Sequence, residues 1–178
     1  MSHPFIRLMD HVYHACIWVA GLSILAMSLI IPWGVFSRYV LGTGSHWPEP
    51  ISIMLMVVFT FIGAAASYRA GGHIAVAMLT ERLPASLQSV CAKLVDLLMG
   101  GISVFVAWYG MDLVLATMEQ TVAELPSMPV GYTYLARPVG SAITLLFVIE
   151  RVVFGSQHTR PIVRFDEPVR AVSPGQVA

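Results

Sequence analysis

Charge is what this sequence has least of. Asp, Glu, Lys and Arg make up 11% of its 178 residues, against about a quarter in soluble domains, while 57% are hydrophobic and the mean hydropathy is +0.75. Such a chain has too little polar surface to fold as a soluble globule, and it reads as an integral membrane protein. Ten basic and ten acidic residues cancel, which removes the electrostatic support that nucleic-acid binding needs. Cysteine is scarce as well. Cys16 and Cys91 form no CxxC and join no Cys/His group at metal-ligand spacing, so both read as packing residues.

Histidine and mid-span acid are missing where they would matter most. His3, His11, His14 and His158 fall in segments expected to be cytoplasmic, His46 in an outer connection and His73 after a glycine pair. A haem-binding membrane cytochrome subunit needs axial histidines on facing helices, so this pattern argues against one. A stand-alone ion-coupled transporter places an acid in the middle of a span. Here Glu49, Asp96, Asp112 and Glu150 all lie near span ends. No nucleophile-and-base pattern, phosphate-cradling loop or metalloprotease motif is present, so neither an enzyme nor a cofactor in this chain is expected.

What is there is a series of apolar runs. The fold class they predict is all-α integral membrane, with four transmembrane helices over about 15–36, 50–68, 88–114 and 134–154 and short interfacial helices beside them. Each run is long enough at about 1.5 Å per residue to cross a hydrocarbon core of about 30 Å. Residues 1–14 mix Arg7, Asp10, His11 and His14 with apolar neighbours, as an interfacial helix leading into the bilayer does. The first run, uncharged for 22 residues, exceeds the h-region of a signal peptide, about 7–15 residues, and is expected to stay as a span, with Pro32 near its far end.

The stretch 47–84 is the most informative unit. Trp47, Pro48 and Glu49 introduce an uncharged run over 50–67, Arg69 closes it, and Gly71-Gly72 breaks the helix before a second interfacial segment over 73–83. Gly63 and Ser67, like Gly100, Gly101 and Ser103 in the third helix, offer thin surfaces for helix packing. Lys93 and Asp96, three residues apart, share a helix face and can pair. The connection over 119–133, with Pro126 and Pro129, is expected to be irregular. Residues 1–155 form one membrane domain, and 156–178, with Pro161, Pro168 and Pro174, read as a disordered cytoplasmic tail.

Orientation follows from the basic residues. Arg7, Arg69, Arg82, Lys93, Arg151, Arg160, Arg164 and Arg170 fall on one side, and only Arg38 and Arg137 on the other. The positive-inside rule then makes both termini cytoplasmic. A bundle with short loops and no charge deep within its spans suits an accessory or scaffold subunit better than a solute-moving machine, which needs polar groups or broken helices at the midplane.

An ordered series of motifs resembles the small membrane subunit (DctQ-like) of tripartite ATP-independent periplasmic (TRAP) transporters. It comprises Arg38-Tyr39, Trp47-Pro48-Glu49, Gly63 with Tyr68-Arg69, His73-Ile74-Ala75-Val76, Arg82-Leu83-Pro84, and Pro129 with Tyr134, Arg137, Pro138, Val139 and Gly140. One departure is Pro50, where the family often has a second acidic residue, so Glu49 must act alone. The resemblance implies a bacterial inner-membrane complex with a large multi-span permease subunit and a periplasmic substrate-binding protein, surrounded by membrane lipids. It further implies sodium-driven uptake of organic acids such as C4-dicarboxylates, keto acids or sialic acids, with the sodium sites in the large subunit. In that picture Arg38, Trp47 and Glu49 fix the outer end of the bundle, where a binding protein could dock, and Arg69 and His73 fix the inner turn.

Overall fold

The computed structural model describes residues 4–43, 46–71 and 85–155, and four long helices carry the fold within them. α1 spans Pro4–Tyr39, α2 Pro48–Arg69, α3 Ala85–Thr117 and, after two short strands and a single-turn helix, α5 Ala136–Phe154; β1 is Thr121–Val122, β2 Leu125–Pro129 and α4 Val130–Tyr134. α1, α2 and α3 are each long and apolar enough to cross a membrane. α5 coincides with the fourth expected span but carries Arg137, Glu150 and Arg151 in its 19 residues. The expected interfacial helix over 73–83, His73 with it, and the tail over 156–178 lie outside the described residues.

Two expectations change. The interfacial helix and first span are one continuous α1 of 36 residues, about 54 Å at standard rise. Helix propagation adds a hydrogen bond for each residue fixed, and no Gly or Pro between Phe5 and Ala20 interrupts it. The connection expected to be irregular contains an antiparallel ribbon, with Thr121 opposite Pro129 and Val122 opposite Leu125. In a two-stranded ribbon both strands are edges, so proline, which cannot donate a ladder hydrogen bond, is tolerated. The missing donor is replaced one residue later, where the Val130 N–H donates to the Gln120 carbonyl at 2.8 Å.

The helix ends follow local chemistry. Pro48 opens α2 with Glu49 beside it, and Arg69 closes it, so proline sits where no N–H partner is needed and each charge opposes the helix dipole. Gly71 then turns the chain at φ 72°, a left-handed conformation that costs glycine little.

α1 lies along α2, α2 along α5 and α5 along α3, so the last helix in sequence is inserted between α2 and α3. Its buried residues Ala136, Gly140, Thr144, Phe147 and Val148 recur every three or four positions, which defines one face of a helix. Gly140 permits the closest approach: a Cβ there would lie 2.7 Å from the Phe61 Cβ and 2.9 Å from its carbonyl oxygen. The thin surfaces seen in sequence are used unequally. Gly63 meets Ala20 at ordinary contact and Gly100 meets Val148, and Ser103 is buried, but Ser67 is exposed and Gly101 has nothing within 4 Å.

The buried core gathers at one end. Met9, Tyr13 and Cys16 of α1 pack with Ile62, Ala65 and Tyr68 of α2 and Phe147 of α5. The Phe5 and Phe154 rings stack at 5.8 Å, so both ends of the described chain lie at that same end of the bundle. The ribbon and α4 occupy the opposite end.

Candidate functional site

Alternating helix directions bring five charged side chains to the core end. Asp10 lies in the second turn or so of α1, Arg69 closes α2, Asp96 lies early in α3, and Glu150 and Arg151 lie in the last turns of α5. Arg69 is the hub. Its Nε donates to Glu150 Oε2 at 2.8 Å, and its Nη2 donates to Glu150 Oε1 and to Asp10 Oδ1, each at 2.7 Å. Arg69 is 5% exposed and Glu150 1%. The fork geometry of guanidinium and carboxylate makes this a two-point lock, stronger and more directional than a lone charged hydrogen bond.

Aromatic rings complete the shell. The Arg69 guanidinium carbon is 5.3 Å from the ring centroids of both Tyr13 and Phe147, within range for the ring quadrupoles to attract a cation. Among the described residues Arg69 Nη1 is buried with no hydrogen-bond acceptor, and the two ring faces offset part of that cost. Breaking such a buried pair on one side costs about 3–5 kcal/mol, because the remaining charge is stranded.

A second pair sits beside the first. Arg151 Nε lies 3.1 Å from Asp96 Oδ1, the Tyr68 hydroxyl donates to the same oxygen at 2.8 Å, and the Arg151 guanidinium lies over the Tyr68 ring at 5.6 Å. Asp96 therefore does not pair with Lys93, which is exposed; α5 supplies a closer cation in a more buried place. The two networks meet at adjacent residues, Tyr68-Arg69 and Glu150-Arg151. Together they tie all four long helices at one level.

Of the residues picked out in sequence, Arg69 is the one the structure places in this site. Its charge does more than mark a membrane boundary. Arg38 and Glu49 meet at the opposite end, at 3.7 Å with side chains 53% and 71% exposed, and Trp47 is also exposed there just before α2. They form a separate, solvent-facing patch. The sequence alone does not single out Asp10, Tyr13, Tyr68, Asp96, Phe147, Glu150 and Arg151 as site residues. A signal existed for the charged ones: each stands near the same end of its helix once the helices alternate in direction.

The site has the chemistry of a structural lock. Among the described residues no group of three or more His, Cys, Asp or Glu could hold a metal ion. His11 and His14 are used locally, each Nδ1–H donating to the carbonyl four residues back, of Arg7 and Asp10 respectively. Two apolar cavities lie elsewhere. One of about 690 Å³ is lined by Cys16, Val58, Ile62, Tyr132, Val139 and their neighbours, and another of about 440 Å³ runs between α1 and α2 up to Arg38 and Glu49.

Comparison with known proteins bears on what such a bundle serves. The family model described as "Tripartite ATP-independent periplasmic transporters, DctQ component" matches residues 27–157. The chain is also 25% identical over 148 residues to a protein of Haemophilus influenzae described as "Putative TRAP transporter small permease protein", covering 83% of this chain and 91% of that one.

Proposed function

The chain belongs to the DctQ component family of tripartite ATP-independent periplasmic transporters, and from that premise we propose that it is the static scaffold on which a large multi-span permease subunit is held in the membrane. It is a multi-pass inner-membrane protein with three helices of membrane-spanning length among its described residues, and we read α5 as the fourth span. Glu150 and Arg151 are neutralised inside the bundle by Arg69 and Asp96, which removes the obstacle that their charge poses to insertion of α5. Both termini are assigned to the cytoplasm by the eight-to-two distribution of basic residues. The shared end of Phe5 and Phe154 supports putting them on one side.

The observation that carries the scaffold reading is the double charge lock joining α1, α2, α3 and α5. A unit that translocates solute must move one set of helices against another or break helices around a midplane site. Here the helices are pinned together at one level, and α1, α2 and α3 run unbroken through their described lengths. On this reading the solute and sodium sites lie in the large subunit. The transported class is organic acids, such as C4-dicarboxylates, keto acids or sialic acids, delivered by a periplasmic binding protein and driven by sodium. Arg38, Trp47 and Glu49 form the exposed patch at the outer end where that protein docks.

Reconstitution tests this. Purified chain alone in liposomes is expected to move no solute. Chain, large subunit and binding protein together are expected to give sodium-dependent uptake of an organic acid. Uptake by the chain alone would favour a self-sufficient small transporter and overturn the scaffold reading.

A further inference from the structure

α3 is the least covered of the three helices of membrane-spanning length. One side packs on α5. The other carries Leu97, Gly101, Phe105, Trp108, Asp112 and Leu115, spaced four, four, three, four and three residues apart, a single face of an α-helix. Leu97, Phe105, Trp108 and Leu115 are 61–76% exposed, and Gly101 opens onto empty space. Beside the stripe, Val104, Trp108, Met111, Asp112 and Leu145 border a groove of about 490 Å³.

Asp112 is the feature that lipid does not explain. It is exposed on this face and takes no hydrogen bond or ion pair from the described residues. Asp112 lies within the stretch Leu87–Thr117 that is long and apolar enough to cross a membrane, about 24 Å along α3 from Asp96 in the charge lock. An ionisable group on such a helix face is met by a partner or a water-filled space rather than by hydrocarbon. A small residue and a polar residue on one apolar stripe are what membrane helices use to associate.

We propose that this stripe of α3 is where a membrane helix of the large permease subunit packs, with a basic side chain of that helix paired to Asp112. The proposal rests on the reading of this chain as a small permease subunit. The small Gly101 side lets the partner backbone approach, Trp108 and Phe105 supply contact area, and the carboxylate sets depth and register. A second copy of this chain is a poorer fit, because an identical stripe would bring a carboxylate and no cation.

Photo-crosslinking tests it in the assembled complex. Benzoylphenylalanine is placed at position 105, 108 or 115, with positions 25 and 29 on the exposed face of α1 as comparison, and the tagged chain is co-expressed with the large subunit and binding protein. The expected result is an adduct of this chain with the large subunit, several-fold stronger from the α3 positions than from α1. Intact co-purification with adducts from α1 alone, with lipid alone or at twice the mass of this chain overturns the proposal and leaves the scaffold reading standing. Failure of the large subunit to co-purify at all overturns both. Asp112→Leu separates partner from lipid by a second route. Against lipid the change is favourable and the yield of complex stays level; against a cation the yield falls about tenfold, or about 1.4 kcal/mol, while the chain itself still accumulates.

Discussion

Arg69 and Glu150, 81 positions apart in sequence, face each other through two hydrogen bonds of 2.7 and 2.8 Å. That contact joins the end of α2 to the end of α5, and Asp10 adds α1 through the same guanidinium. It turns residues that a span-by-span reading treats as boundary markers into the fastening of the bundle.

Glu150→Gln tests the lock from its acidic side. The substitution keeps shape but leaves Arg69 with one charged partner, Asp10, in a site where Glu150 is 1% exposed. Breaking a buried pair in this way costs about 3–5 kcal/mol. Thermal unfolding of the purified chain in mild detergent is expected to show a clear fall in midpoint, and an unchanged midpoint would contradict the lock.

Gly140 makes a steric prediction that is independent of charge. A Cβ there meets Phe61 at 2.7 Å, with the Phe61 backbone as close as 2.9 Å, and backbone cannot rotate out of the way. Gly140→Ala is expected to cost about 1–3 kcal/mol by overpacking, and Gly140→Val more. Gly101→Ala, which meets nothing within the bundle, is expected to leave the unfolding midpoint of the isolated chain in place.

The exposed pair should behave in the opposite way to the buried one. Arg38 and Glu49 are more than half exposed, so Arg38→Ala or Glu49→Ala is expected to change stability by at most about 1 kcal/mol. If this patch receives the binding protein, uptake falls in the assembled transporter while thermal stability does not. Full uptake in both variants would remove the patch from the docking surface.

Much of the architecture was legible in the sequence because membrane helices announce themselves by length and apolarity. The helices α2 and α3, both long and apolar enough to cross a membrane, overlap their expected spans to within a few residues, and Trp47-Pro48-Glu49 marks the start of α2. The ribbon was not legible. Pro126 and Pro129 argue against a helix and say nothing of cross-strand pairing, which depends on where Thr121 returns. The partner of Asp96 is not legible for a related reason: Lys93, three residues away, can pair with it on one helix face, but the choice of Arg151 depends on α5 entering between α2 and α3. Chain topology fixes that order, and no single span carries it.

The most direct measurement is the yield of large subunit that co-purifies with the tagged chain bearing Arg69→Glu. That substitution would gather three carboxylates where Arg69 now neutralises Asp10 and Glu150. The scaffold account predicts a large loss of complex and of uptake, and substantial recovery when Glu150→Arg is added, because the pair is then re-formed with its charges exchanged. Normal complex yield and normal uptake with Arg69→Glu alone would contradict it.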